Sequence, residues 1–189
     1  MCISMLRKIA VVALLPIAMC GTADRAPGQA DPKKTEIVLP KDPQAVVVAL
    51  HVTGGMIRNK TTDPYLQIQA DGRVILTNRI DGTKKESKLT AGQLQDLLRF
   101  VIQENDIFNV DATKIQDEIK AQQKNGPAIR VGDGITSRLV IKANNKEHEV
   151  SYYAAGTFAK QYPKVKTLAQ FAAVEGRLHE LANSVQKGK

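Results

Sequence analysis

Apolar residues recur along this chain with two spacings, one of period two and one near 3.6. Residues 44–53 (QAVVVALHVT) are nearly continuous in apolar side chains, which predicts a strand buried on both faces and ended by Gly54-Gly55. Residues 56–64 are polar and read as a loop. Residues 65–70 and 73–77 alternate around Asp71-Gly72 and predict a hairpin. A two-residue turn there would oppose Gln67 to Leu76 and Gln69 to Val74, mixing polar and apolar side chains on one face. A three-residue loop, Ala70-Asp71-Gly72 with Gly72 left-handed, opposes Leu66 to Leu76 and Ile68 to Val74. Only that register gives one apolar face. Asp81-Gly82 predicts a further turn, and residues 84–89 a polar edge strand whose lysines discourage edge-to-edge association.

The helical spacing begins at Thr90. Thr90-Ala91-Gly92-Gln93 has the form of a capping box, in which Thr90 caps the helix and Gln93 answers three residues on. Leu94, Leu97, Leu98, Val101 and Ile102 then form one stripe in a helix reaching about Asn105. Asp111 predicts the cap of a second helix running to about Lys124, stopped by Asn125-Gly126-Pro127. Residues 135–143 and 146–154 predict a second hairpin on Asn144-Asn145, since Asn tolerates positive φ. That turn opposes Leu139 to Val150, Ile141 to His148 and Ser137 to Tyr152, with Lys142 and Glu147 on the other face. Thr167-Leu168-Ala169-Gln170 repeats the capping-box spacing. The last helix carries Leu168, Phe171, Ala172, Leu178, Leu181, Ala182 and Val185 on one face, interrupted by Gly176. The order reads β-β-β-α-α-β-β-α. Segregated strands and helices predict an α+β fold, an antiparallel sheet with helices packed on one face.

Ahead of the domain, assigned to residues 45–187, the pattern changes twice. Arg7 and Lys8 precede residues 9–19 (IAVVALLPIAM), an uncharged, mostly apolar run of 11 residues. That is short of the roughly 20 a membrane-spanning helix needs, and it suits the core of an export signal covering residues 1–23. Two cleavage sites fit. Ile17-Ala18-Met19-Cys20 has the layout of a lipoprotein signal with Cys20 as the lipidated residue, though Met19 stands where a small residue belongs. Cleavage after Ala23, with Gly21 two residues before it, fits ordinary secretion. Either Met1 or Met5 serves as the start. Residues 24–44 hold Pro27, Pro32, Pro40 and Pro43 and read as an extended tether. The expected location is therefore the periplasm, the medium or, through a lipid at Cys20, the cell envelope.

Composition then narrows the chemistry. The chain's 189 residues carry 27 Lys and Arg against 19 Asp and Glu, a net charge of +8. Loss of residues 1–23 leaves 25 basic against the same 19 acidic residues, so +6, a mildly basic and solvated surface. Cys2 and Cys20 are the two cysteines, so residues 24–189 contain neither a disulfide nor a thiol nucleophile, and no Cys-based zinc site. With four Phe, four Tyr and no Trp, aromatic platforms for sugars or bases are hard to build.

The histidines, His51, His148 and His179, have no i, i+4 partner, and the metalloprotease motif is absent. Strand alternation turns His148 away from Glu147 and Glu149. Ser87, Ser137, Ser151 and Ser184 lack the sequence of a strained nucleophile turn. The Asp-Gly pairs at 71, 81 and 133 read as turns, without calcium-loop spacing. Asn59-Lys60-Thr61 is a glycosylation triplet. No cofactor, metal ligand set or nucleic-acid site is expected. The lysines Lys84, Lys85 and Lys88 and the outward-facing member of the Tyr152-Tyr153 pair, Tyr153, are the candidate partner contacts.

Residues 67–74 (QIQADGRV), 89–102 (LTAGQLQDLLRFVI), Phe108-Asn109-Val110-Asp111, 147–153 (EHEVSYY) and 168–178 (LAQFAAVEGRL) resemble a family of exported bacterial proteins of unknown function. The resemblance spans nearly the whole domain and rests on turn, cap and core positions. It implies a shared fold and carries no site residues. The functional expectation is a non-enzymatic binding module at the bacterial cell envelope, acting on an unidentified envelope or extracellular partner. The alternative is a hydrolase built on a histidine and an acid, with His51 or His148 as the histidine.

Overall fold

A computed structural model describes residues 36–56, 59, 61–123 and 131–188. The residues read as an export signal, Cys20, those read as a tether as far as residue 35, and the expected Asn125-Gly126-Pro127 stop lie outside the described residues. Among those described, six strands form one antiparallel sheet: β1 (Val46–Gly54), β2 (Leu66–Gln69), β3 (Arg73–Thr77), β4 (Lys84–Lys88), β5 (Ile135–Ala143) and β6 (Lys146–Tyr153). Their spatial order is β4-β3-β2-β1-β5-β6. The helices are α1 (Ala91–Arg99), α2 (Ala112–Gln123), α3 (Ala155–Gln161) and α4 (Lys166–Gln186). The fold is α+β.

The central position of β1 explains its composition. It pairs with β2 on one side and β5 on the other, and Val47, Val48, Ala49, Leu50 and Val52 are buried. The first hairpin takes the register its core face demands, Leu66 opposite Leu76 and Ile68 opposite Val74. The second closes on Asn144 and Asn145, both at positive φ (52° and 56°), and opposes Leu139 to Val150, Ile141 to His148 and Ser137 to Tyr152. β4 is the polar edge strand, so four strands rather than three precede the first helix.

One sheet face carries the core. Leu50, Leu66, Ile68, Leu139 and Ile141 meet Leu94, Leu98, Ile107, Ile115, Leu168, Phe171 and Leu178 from the helical layer. At roughly 25 cal/mol per Å2 of apolar surface, burying each such side chain contributes about 1.5–3 kcal/mol. Thr90 caps α1 as its sequence predicts: Thr90 Oγ1 accepts from Gln93 N–H at 3.2 Å, and Gln93 Oε1 accepts from Thr90 N–H at 2.9 Å. Beyond Arg99 the helix widens into a π-turn, Phe100–Glu104, closed by the Asn105 side chain donating to Phe100 O at 2.8 Å. Asp111 accepts from Lys114 N–H at 2.8 Å ahead of α2.

Three expectations need correction. The packed domain starts before residue 45. Ile37 is 2% exposed and exchanges two hydrogen bonds with the Gln95 side chain on α1, so prolines on either side of a segment do not make it a linker when its apolar residue finds the core. The spacing Thr167 to Gln170 is not a capping box. α4 starts two residues earlier, after Val165, and Thr167 turns inward with its hydroxyl unpartnered among the described residues. The short helix α3, entered through Ala154 at φ 49°, has no side-chain cap that could have announced it.

Candidate functional site

The sheet face away from the core is where polar side chains converge. Alternation along β1 puts Leu50 and Val52 inward and His51 and Thr53 outward. Register then aligns His51 with Arg138 on β5, Thr53 with Thr136, and Arg138 with Ser151 on β6. Glu149 lies on the same outward face, two residues from Ser151. Arg138 lies across these strands. Its Nη2 is 3.0 Å from His51 Nε2, and its Nη1 is 3.2 Å from both carboxylate oxygens of Glu149. Arginine can only donate, so His51 Nε2 accepts and the neutral ring carries its proton on Nδ1.

A loop walls this cluster. Gly54 and Gly55, at φ 77° and 71°, turn the chain out of β1 in a left-handed conformation that side chains disfavour. Asn59 Nδ2 then donates to Val52 O at 2.8 Å, while Arg79 donates to Asn59 Oδ1 at 2.8 Å and to Gly54 O at 2.9 Å. The Asn59 amide nitrogen of the glycosylation triplet is thus committed to the backbone of β1. The resulting cleft, of about 500 Å3, is lined by His51, Thr53, Asn59, Asp63, Arg138 and Ser151 together with Thr61, Thr62 and Thr136.

Burial holds the His51 imidazole below its ordinary pKa of 6.5; the Arg138 charge pushes the same way, and Glu149 opposes both. Neutral His51 is a base in principle. Its Nε2 is occupied by Arg138, however, and a base that activates a nucleophile needs a free ring nitrogen facing it. Among the described residues no group of three His, Cys, Asp or Glu side chains could hold a metal ion.

The other two histidines are built into the scaffold. His148 Nε2 donates to Val110 O at 2.9 Å, and its ring meets Phe108 edge-on at 5.9 Å. His179 packs against Tyr65, their ring centres 5.5 Å apart; burial lowers its pKa, with Glu175 opposing and Arg79 adding to the fall. Glu175 itself is buried and accepts a hydrogen bond from the Ser137 hydroxyl.

The side chains singled out as partner contacts do not form one surface, because β4 and β6 are opposite edges of the sheet. Each is also engaged within the chain. Tyr153 Oη donates to Val131 O at 3.0 Å and accepts from Gly134 N–H at 2.8 Å. Lys84 pairs with Asp63 at 2.8 Å, Lys88 with Asp71 at 3.5 Å, and Lys85 donates to Gln186 O at 2.9 Å. Lys84 alone approaches the cleft, through Asp63. A second and larger hollow, about 920 Å3, runs between α1 and α4 over Leu89, Leu97, Phe100, Ala172 and Gly176.

Arg138 and Glu149 were not among the sequence candidates. The signal was present, since the hairpin register puts both on the polar face, but their approach to His51 depends on the pairing of β1 with β5, 87 residues apart in the chain. Set beside protein families, curated proteins and solved structures, the chain matches none.

Proposed function

We propose that this chain is an exported, non-enzymatic binding module of the bacterial cell envelope and that its ligand sits in the open-face cleft. Export rests on the Arg7-Lys8 pair, the 11-residue apolar run and the Pro-rich stretch that follows. Among the described residues, no helix is long and apolar enough to cross a membrane. The reading as a binder rests on one observation above all: Arg138 is fixed between His51 and Glu149 at the floor of a hydroxyl-lined cleft, with the histidine nitrogen consumed in holding it. Such an arrangement positions a hydrogen-bonding fork without arming a nucleophile. The likeness to exported bacterial proteins of unknown function agrees with this reading and adds no ligand.

The test is complementation of a gene deletion in the native host. Wild-type protein should restore the phenotype, and a folded, exported Arg138→Ala variant should not. Full rescue by Arg138→Ala together with Glu149→Ala would remove the cleft from the function. Mass spectrometry of the mature N-terminus should find Cys20, Gly21 or Asp24 first; cytosolic protein retaining Met1 or Met5 would end the export reading.

A further inference from the structure

We propose that the open-face cleft binds a small oxyanion between Arg138 and His51, and that His51 takes up a proton as the anion enters. The inference rests on the cleft being the ligand site.

Charge is counted first. With His51 neutral, Arg138 is balanced by Glu149, and Asp63 on the rim is balanced by Lys84. Arg79 reaches the same rim and gives two of its N–H donors to Asn59 Oδ1 and Gly54 O, neutral acceptors that leave its charge in place. At Arg138 itself the Glu149 carboxylate therefore offsets the attraction for an anion, which would have that carboxylate beside it. Protonation of His51 changes both charge and hydrogen bonding. The cluster gains one positive charge, and Nε2, formerly the acceptor from Arg138, becomes a donor. Two donors now point at each other across 3.0 Å. They need an acceptor between them, and an anion with two oxygens supplies one to each. Charge-assisted bonds of this kind are about twice as strong as neutral ones. Burial and the Arg138 charge oppose proton uptake in the empty cleft, so the anion and the proton bind better together than either does alone.

Carboxylate and sulfate or phosphate groups share this chemistry, and two probes separate them. Sulfate keeps its charge across the neutral range, so any pH dependence belongs to the protein. Binding of sulfate and of acetate to the mature protein should be followed by calorimetry and by the His51 ring-proton NMR signal, from about pH 8 to about pH 5. Sulfate affinity should rise about tenfold for each pH unit lost until His51 is charged, then level off, as one linked proton requires. Stronger binding of sulfate than of acetate would assign the site to tetrahedral anions, and the reverse to carboxylates. In His51→Gln, which keeps a donor and cannot titrate, the pH dependence should vanish; circular dichroism reports whether that variant is folded. Sulfate affinity that is flat from pH 8 to 5 in wild-type protein, or no saturable binding at either end of the range, overturns the proposal. If that happens while Arg138→Ala still fails in the host, the oxyanion assignment falls and the binding module stands. If sulfate binds as expected and Arg138→Ala restores the deletion phenotype, the cleft's chemistry stands and its place in the function falls.

Discussion

The ring of Tyr153 fills the space that a side chain at position 134 would occupy. A Cβ on Gly134 would lie 2.6 Å from Tyr153 Cζ and 2.8 Å from its Oη, while the real Gly134 N–H donates to that same oxygen. The tyrosine, 38% exposed, fastens the loop before β5 to the end of β6. Gly134→Ala should therefore destabilise the domain by about 1–3 kcal/mol, as overpacking does. Tyr153→Phe should cost about 1 kcal/mol for its lost hydrogen bonds. Urea midpoints measure both. A Gly134→Ala variant as stable as wild type would mean that the ring is not held there.

The two hairpins should respond in opposite directions to substitution. At the first, Gly72 has φ 86°, and a Cβ there would come within 2.4 Å of the Leu89 carbonyl oxygen, which is backbone and cannot swing aside. Gly72→Ala should cost about 2–4 kcal/mol, combining left-handed strain with a steric clash. At the second, Asn145 holds φ 56° in a two-residue turn that favours Asn-Gly. Asn145→Gly should raise stability by about 0.5 kcal/mol. Thermal denaturation of the pair gives the comparison, and a loss at Asn145→Gly would count against the turn.

Leu98 is fully buried in the stripe of α1, beside Leu94 and Val101. With no cysteine after residue 20, this core has no covalent support. Leu98→Ala should cost about 2–5 kcal/mol. Chemical denaturation should give the same curve with and without reductant for both proteins.

Stability should fall on mild acidification. His51 and His179 both hold their protons less tightly in the folded chain than at the ordinary value of 6.5. The unfolded chain therefore binds more protons below that value, and folding stability is full above pH 6.5 and declines as pH drops beneath it. The decline ends once the folded-state values are passed. Asp71, held below 3.8 chiefly by the Arg73 N–H, with the Lys88 and Arg73 charges assisting against desolvation, loses its contribution only in a more acidic range. Tm should thus drop between about pH 7 and pH 5, and His179→Gln should flatten part of the slope. A Tm that rises over that interval would contradict the buried, neutral state of these rings.

Local physics made much of this protein readable from its residues. The Leu66–Leu76 register follows from period-two alternation, the Thr90–Gln93 cap from a side chain that reaches its own helix, and the Asn144-Asn145 turn from tolerance of positive φ. Each needs only neighbours within a few residues. Where such reasoning misled, a distant surface decided. Ile37 joined the core by meeting Gln95, and the hydroxyl of Thr167 lost its capping role because α4 begins earlier and turns it inward. The cleft belongs entirely to that second kind. Its histidine comes from β1, its arginine from β5 and its carboxylate from β6, so no stretch of sequence contains it. Alternation could place all three on the polar face, but only the central position of β1, which pairs with β2 and β5 at once, brings His51 within 3.0 Å of Arg138. Strand order is set by how the whole apolar face is covered, a global condition that local propensities do not encode.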